Sequence, residues 1–192
     1  MLKLPEFVEH FGYPHRVLPD GVWWCDENTL DAEFVETFPE STTRRQIASG
    51  FQALCQEALA LKLNAVQWLD GSFVETKLNP QDLDLVTFFD HDQLNQFGAA
   101  ERSFVLNWLN GGTITRERYQ THAFLVLSCE PGHSYYETFD AARDYWRSWF
   151  GRTRRIPQGP DGMTIRFPKG FLAMILGDSS QVRQISDERS ST

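Results

Sequence analysis

One segment, residues 68–86, constrains the fold of this chain more than any other part of its sequence. It begins as an apolar strand, turns at Gly71 and Ser72, continues as a polar loop, and ends in a second strand that carries Asp82 and Asp84. Side chains two apart on a strand point to the same face of the sheet. The pattern therefore predicts two carboxylates side by side, facing a glycine-serine turn.

Two carboxylates as close as Asp82 and Asp84 repel each other unless a positive charge lies between them. Mg²⁺ (or Mn²⁺) suits this position, because it takes oxygen ligands and is commonly shared with substrate phosphates. Gly71 permits close backbone approach to a phosphate, and a helical turn after Ser72 would add free N–H groups. Lys77 follows within reach of a triphosphate. The segment thus predicts a metal and nucleotide site.

Apolar periodicity predicts an α+β chain. We expect helices over residues 29–38, 41–64, 92–98, 99–110 and 135–150, and strands over 65–69, 82–89, 122–128, 163–167 and 171–176. Ser41 is the predicted cap of the long second helix, in which Gly50 either carries a cost or allows another backbone to approach closely. Residues 1–26 and the basic loop 152–162 are predicted to be irregular. The expected organisation is an N-terminal extension (1–40) packed on one domain (41–176), with a flexible tail (177–192).

The composition disfavours two classes of binding partner, nucleic acid bound non-specifically and membranes. Its 192 residues carry a formal net charge of −8, which argues against non-specific binding to nucleic acid. No apolar stretch is long enough to span a membrane, and the three widely spaced cysteines suit a reducing compartment. We therefore expect a cytoplasmic protein without a membrane partner.

The order of these motifs resembles the DNA-polymerase-beta-like nucleotidyltransferase superfamily, in which a strand leads into Gly-Ser and Asp-x-Asp follows on the next strand. A closer resemblance is to a bacterial nucleotidyltransferase-like family, and it spans roughly residues 18–176. The residues that carry it are Leu18-Pro19-x-Gly21-x-Trp23, Phe38, Arg44-Arg45, Leu69-Asp70-Gly71-Ser72-Phe73-Val74, Lys77, Pro80, Asp82-x-Asp84, Tyr145-Trp146-x-x-Trp149-Phe150-Gly151 and Pro168-Lys169-Gly170.

The resemblance implies a nucleotidyltransferase-like fold, with a small mixed sheet flanked by helices. It implies that Gly71 and Ser72 hold a nucleoside triphosphate and that Asp82 and Asp84 hold the metal. The implied reaction moves a nucleoside monophosphate to a protein hydroxyl, a nucleotide or a small molecule. Small members of the superfamily often belong to toxin–antitoxin or phage-defence systems, so an antiviral role and a protein partner are expectations as well.

The sequence departs from the superfamily at the third carboxylate, which usually comes from a later strand. His122 stands at that position; a histidine can bind a metal or act as a base, but it adds no negative charge to a metal site. Glu75 and Glu130 are acids that could take its place. The alternative function is therefore a catalytically degenerate relative that binds a nucleotide or a protein. A metal-dependent nuclease is a third reading, which the acidic surface disfavours.

Each candidate residue also has a plainer interpretation. The two aspartates could lie on a solvated strand edge, Lys77 on the surface, and His122 in an ordinary hydrogen bond. The basic residues near the C-terminal end could receive a phosphate or form a solvated loop; they are Arg152, Arg154, Arg155 and Lys169. The aromatic residues near the end of the last helix fit core packing better than base stacking; they are Tyr145, Trp146, Trp149 and Phe150.

Overall fold

The computed structural model describes residues 3–158 and 163–178. Its strands are β1 (Gly21–Trp24), β2 (Ala65–Asp70), β3 (Leu83–Asp90), β4 (Thr121–Ser128), β5 (Ile156–Gln158), β6 (Met163–Ile165) and β7 (Gly170–Leu176). Its helices are α1 (Glu27–Asp31, continued by a π-helical turn over Ala32–Glu36), α2 (Arg44–Ala60), α3 (His91–Gln96), α4 (Ala99–Trp108), α5 (Thr113–Tyr119) and α6 (Tyr136–Phe150). A 3₁₀ turn covers Ser72–Val74.

The centre of the molecule is a five-stranded mixed sheet with the strand order β1-β7-β2-β3-β4. The outer pairs β1–β7 and β3–β4 are parallel, whereas β7–β2 and β2–β3 are antiparallel. Strands β5 and β6 form a separate antiparallel pair. The predicted α+β class, with a small mixed sheet flanked by helices, is confirmed.

Alternate residues of the sheet belong to two apolar cores. One face carries Leu69 and Leu85, which share a core with Phe51 of α2. The opposite face carries Trp68 and Val86, which share a core with Phe150 and the rest of the apolar side of α6. Because β2, β3 and β4 run in fixed register, the polar residues at their ends follow the same alternation and lie on the α6 face.

Three local predictions about the helices have clear outcomes. Helix α2 begins at Arg44 rather than at residue 41, although the Ser41 hydroxyl does accept the Arg44 N–H at 3.2 Å. A Cβ at Gly50 of α2 would collide with the backbone carbonyl of Tyr119, so the predicted close backbone approach is confirmed. Helix α5, which supplies Tyr119, was not predicted. Its sequence, Thr-Ile-Thr-Arg-Glu-Arg-Tyr, has too few apolar residues to show a helical period.

The N-terminal part differs from the irregular chain that was predicted for residues 1–26. Strand β1 forms there and pairs in parallel with β7 at the edge of the sheet, where Trp23 Nε1 donates to the Pro19 carbonyl at 2.8 Å. A four-residue edge strand is too short to show alternation in sequence. Asp26 caps α1 by accepting the Thr29 N–H at 2.7 Å.

Two other predicted segments are only partly described. Within the loop predicted over residues 152–162, β5 is formed, and residues 159–162 lie outside the described part. Most of the predicted tail, from residue 179 onward, also lies outside it. Across residues 3–158 and 163–178, no helix combines the length and the apolar character that crossing a bilayer requires.

Candidate functional site

A cavity of about 570 Å³ opens on the α6 side of the sheet, where β2 ends at the glycine-serine turn. Its polar floor comes from three adjacent strands, because Asp70 of β2 pairs in register with Asp84 of β3, and Asp84 pairs with His122 of β4. All three residues line the cavity, together with Gly71. The sheet thus brings together residues that are far apart in sequence.

Gly71 can only be a glycine at this position. Its φ is +83°, in the region that favours glycine, and a Cβ there would lie 2.5 Å from Oδ2 of Asp84. The sequence left a helical turn after Ser72 open, and a 3₁₀ turn is present there; it buries Ser72, which does not belong to the cavity wall. The turn therefore presents the bare backbone of Gly71 directly beside the Asp84 carboxylate.

Asp84 is the predicted metal ligand that lines the cavity. Its Oδ1 lies 3.4 Å from Nδ1 of His122. Burial raises the pKa of Asp84, the charge of Asp82 raises it further, and the charges of His122 and Arg154 act in the opposite direction. A carboxylate in this environment favours any cation that approaches it.

Asp82, the second predicted metal ligand, directly precedes β3 and is buried. Its Oδ2 forms an ion pair with Arg116 of α5, and it is not part of the cavity wall. It is nevertheless near enough to Asp84 for its charge to act on the pKa of that residue. The two acids thus have different surroundings, since one faces the cavity and the other faces an arginine.

A buried lysine lies under the glycine turn. Lys169 is 2% exposed, and its Nζ lies 2.6 Å from Oδ1 of Asp70 and 3.2 Å from Oε1 of Glu75. Tyr13 donates its hydroxyl to Glu75 at 2.9 Å. The interpretation of Lys169 as part of a solvated loop is therefore wrong. Lys77, which was the expected phosphate ligand, is not part of the cavity wall.

One lysine contacts two acids in the cluster formed by Lys169, Asp70 and Glu75. Burial raises the pKa of Asp70 to about 7, although the charge of Lys169 opposes this shift. For Lys169, burial acts to lower the pKa, but the nearby charges of Asp70 and Glu75 outweigh it, and the net shift is upward. Lys169 therefore stays charged at neutral pH, whereas Asp70 takes up a proton as the pH falls through about 7.

Arg44, at the start of α2, holds the loop that carries the turn. It is fully buried, and its guanidinium donates to the carbonyls of Phe34 and Phe73 at 2.9 and 2.7 Å, and of Glu75 and Lys77 at 2.5 and 2.7 Å. Burial lowers the pKa of Arg44 to about 10. One side chain thus satisfies four backbone acceptors around the site.

The remaining walls of the cavity are basic and aromatic. They comprise Phe124, Tyr145, Trp146, Trp149, Phe150, Arg152, Arg154, Arg155 and Arg166. The aromatic residues of α6 were expected to pack in the core, and this holds for Phe150, which is buried. It does not hold for Tyr145 and Trp149, which are more than half exposed.

A second polar cluster, of His91, Asp92 and His133, lies at the opposite end of β3. Atoms able to bind a metal converge there within 4.8 Å of one another. However, Nδ1 of His133 accepts the N–H of Tyr135 at 3.0 Å, which leaves the proton on Nε2, 3.7 Å from Asp92. In this tautomer His133 has no free nitrogen lone pair for a metal.

Fold and site together define an α+β protein with an acid–histidine pair at the floor of a basic, aromatic-walled cavity. The chain belongs to the family described as "Family of unknown function (DUF6932)", whose match covers residues 5–175. That range includes the five-stranded sheet except for Leu176, the last residue of β7, and every residue of the cavity wall. No curated protein and no solved structure gave a significant match.

Proposed function

We propose that the protein is a metal-dependent nucleotidyltransferase, which moves a nucleoside monophosphate from a nucleoside triphosphate to an acceptor. The observation that carries this proposal is the contact between the Gly71 backbone and the Asp84 carboxylate inside a cavity lined by arginines. This arrangement combines open backbone for phosphate oxygens, an acid for a cation, and positive charge for the remaining phosphates. It also agrees with the resemblance seen in the sequence.

The donor atoms near the turn suit a hard divalent cation. Asp84 offers carboxylate oxygens to the cavity, and the neighbouring charge of Asp82 makes a proton or a cation on Asp84 favourable. Mg²⁺ or Mn²⁺ held by Asp84, and by Asp82 once that residue leaves Arg116, would neutralise charge on the phosphates during transfer. His122 stands in this set where an acid was expected, and it adds no negative charge.

Different residues of the cavity wall suit the two parts of the expected substrate, its phosphates and its base. Arg154 lies near enough to Asp84 to act on its pKa, and its guanidinium is suited to bind the phosphates. The half-buried rings of Phe124 and Trp146 contact each other, with centroids 4.6 Å apart, and offer an aromatic surface for the base. The cavity volume of about 570 Å³ is within the usual range for small-molecule sites.

The proposed step is an in-line displacement at the α-phosphate. The acceptor hydroxyl oxygen forms a bond to the α-phosphorus, the bond from that phosphorus to the β-bridging oxygen breaks, and pyrophosphate leaves. The hydroxyl proton passes to the imidazole of His122, which the Asp84 carboxylate orients from 3.4 Å. The arginines of the cavity wall stabilise the charge on the departing pyrophosphate.

A second candidate is a relative that binds the triphosphate without transferring it. Two observations favour it, the pairing of Asp82 with Arg116 and the histidine at position 122. Both reduce the negative charge available to a metal. The two candidates differ in turnover, because only the enzyme releases pyrophosphate.

The test is incubation of the protein with each labelled nucleoside triphosphate and Mg²⁺ or Mn²⁺, with calorimetry for binding. We expect metal-dependent triphosphate binding and pyrophosphate release, both lost in Asp84→Asn and retained in Asp20→Asn, an exposed acid away from the cavity. Binding without turnover would support the second candidate. Equal binding by Asp84→Asn and the unmodified protein, both folded, would refute the site.

The same variant tests the biological setting suggested by the resemblance. We propose a cytoplasmic toxin–antitoxin or phage-defence role, because small relatives in the superfamily often act there. Overproduction in a bacterial host should then slow growth or protect against phage, and Asp84→Asn should abolish the effect. A phenotype that persists in Asp84→Asn at equal protein level would contradict this role.

A further inference from the structure

We infer that the acceptor is the 3′ end of a single-stranded nucleic acid, bound by an outer rim of the cavity. This rim consists of Tyr145, Trp149, Arg152, Arg154 and Arg155, all of which line the cavity that contains Asp84. The inference rests on the proposed function, because it names the acceptor for that reaction.

The aromatic part of the rim is a platform of two exposed, nearly parallel rings. Tyr145 and Trp149 lie four residues apart on α6, and their rings stack with centroids 6.2 Å apart and an interplanar angle of 16°. They are 57% and 52% exposed, whereas the other aromatic side chains of this end of α6 pack inward. Parallel exposed rings suit stacking with nucleobases, which is favourable for every base.

The basic part of the rim is held in place before any ligand binds. Thr153 is fully buried, its N–H donates to the Phe167 carbonyl at 2.9 Å, and its hydroxyl accepts the Phe167 N–H at 2.9 Å. Arg166 donates Nε to the Thr153 carbonyl at 2.7 Å. With Thr153 anchored inward, its neighbours Arg152 and Arg154 are turned outward and exposed.

These arginines have charge available for a ligand. Within residues 3–158 and 163–178, no ion pair joins Arg152, Arg154 or Arg155 to an acid. The whole chain nevertheless has 26 acidic residues and a formal net charge of −8. A local group of three cations in an acidic protein attracts a polyanion to that place.

The combination of platform and arginines favours a nucleic acid end over other acceptors. An acidic peptide would satisfy the arginines but would leave the stacked rings without flat partners. A long duplex would bring phosphates against the acidic remainder of the surface and keep its bases stacked inside the helix. A single-stranded end supplies free bases, a few phosphates and a terminal hydroxyl that reaches toward Asp84.

The reaction then adds one nucleotide to the strand. The 3′-hydroxyl oxygen forms a bond to the α-phosphorus of the triphosphate, and pyrophosphate leaves with the electrons of the broken α–β bridge. The hydroxyl proton passes to His122, as in the proposed mechanism. The product is a strand longer by one residue, which can be seen directly on a denaturing gel.

The binding experiment measures fluorescence anisotropy of a short single-stranded RNA, labelled at its 5′ end, with the unmodified full-length chain. Three phosphate contacts to a single strand predict a slope of about −2 for log K against log of salt concentration. Arg155→Ser should weaken binding several-fold and reduce that slope by about 0.7. Arg45→Ser, an exposed arginine on α2 away from the cavity, should change neither quantity.

The platform is tested with a second set of variants. Trp149→Ala should weaken binding at least about fivefold, as expected for loss of one stacked base, and Trp149→Phe should restore most of it. Phe11→Ala removes a ring that is 96% exposed and lies outside the cavity wall, and it should have no effect. Binding that is absent, or equal in Trp149→Ala and Phe11→Ala, overturns the inference.

Transfer distinguishes this inference from the proposed function. With a triphosphate and Mn²⁺, the RNA should be extended, whereas the same RNA blocked at its 3′-hydroxyl should not. If pyrophosphate release is stimulated by a protein or a small alcohol while the RNA stays unextended, the nucleic acid acceptor is wrong and the nucleotidyltransferase stands. Loss of metal-dependent triphosphate binding in Asp84→Asn tests the proposed function separately.

Discussion

Replacing the buried lysine under the glycine turn provides a quantitative test of the site's electrostatics. Lys169→Met keeps most of the side-chain volume but removes the charge that contacts Asp70 at 2.6 Å and Glu75 at 3.2 Å. Removing one partner of a buried ion pair costs about 3–5 kcal/mol, because the other charge stays buried and unpaired. For a chain of 192 residues, this free energy lowers Tm by roughly 6–20 °C.

The effect should depend on pH in a defined direction. Burial raises the pKa of Asp70 to about 7, so between about pH 4 and pH 7 the folded state binds more protons than the unfolded state. The stability contribution of Asp70 therefore falls as pH rises through this range. Without Lys169 the pKa of Asp70 rises further, so the Tm deficit of the variant should be smallest in acid and grow toward pH 8.

The assay is thermal unfolding, followed by circular dichroism at a series of pH values. Asp70→Asn combined with Lys169→Met should recover part of the lost Tm and flatten its dependence on pH. Lys77→Met, at a lysine without a buried acid partner in the described structure, is the control. A Tm for Lys169→Met within about 2 °C of the unmodified protein at neutral pH would refute the reasoning, and so would a deficit that is larger in acid.

Three further substitutions have defined outcomes. Gly71→Ala should destabilise the fold by about 1–3 kcal/mol, because φ +83° with ψ −171° is a conformation that essentially only glycine adopts. The Cβ would also displace Asp84, which should abolish Mn²⁺-dependent triphosphate binding in calorimetry. Arg116→Ser frees Asp82 from its ion pair and should tighten Mn²⁺ binding several-fold; weaker binding would contradict the assigned role of that pair. Arg44→Met leaves four backbone carbonyls without their donor and should lower the free energy of unfolding by at least about 3 kcal/mol in denaturant titration.

The features that the sequence predicts correctly depend on local patterns. The strand, the glycine-serine turn, the helical turn and the second strand are consecutive, so their periodicity and glycine content indicate the geometry directly. The closeness of Asp84 to Gly71 follows from pairing of two neighbouring strands. Helix α2 and helix α6 are found for the same reason, because each shows apolar residues at helical spacing.

The features that the sequence does not predict depend on distant partners. Lys169 lies 99 positions from Asp70, and nothing in the local sequence Pro-Lys-Gly indicates burial. Arg116 approaches Asp82 on a helix that has no clear apolar period, and Arg44 meets the loop from the start of α2. Burial of charged residues is rare enough that a surface position is the default expectation. Only the packing of the strands brings these cations to the acids.

The exposed rim of the cavity has a different cause. The spacing of Tyr145, Trp146, Trp149 and Phe150 indicates one aromatic side of α6, but these residues form two adjacent rows, Tyr145 with Trp149 and Trp146 with Phe150, about 100° apart around the helix. Phe150 reaches the core beside Phe171, with ring centroids 5.8 Å apart, whereas Trp149 in the other row is 52% exposed. Sequence periodicity indicates the aromatic side of a helix, but not which of two adjacent rows the sheet covers.

The most direct measurement is a crystal structure of the protein soaked with Mn²⁺ and a non-hydrolysable nucleoside triphosphate, with anomalous scattering to locate the metal. We predict an anomalous peak beside Asp84 and phosphate density against the backbone of Gly71. A peak confined to the cluster of His91, Asp92 and His133, with no metal beside Asp84 and no phosphate near the turn, would contradict the account.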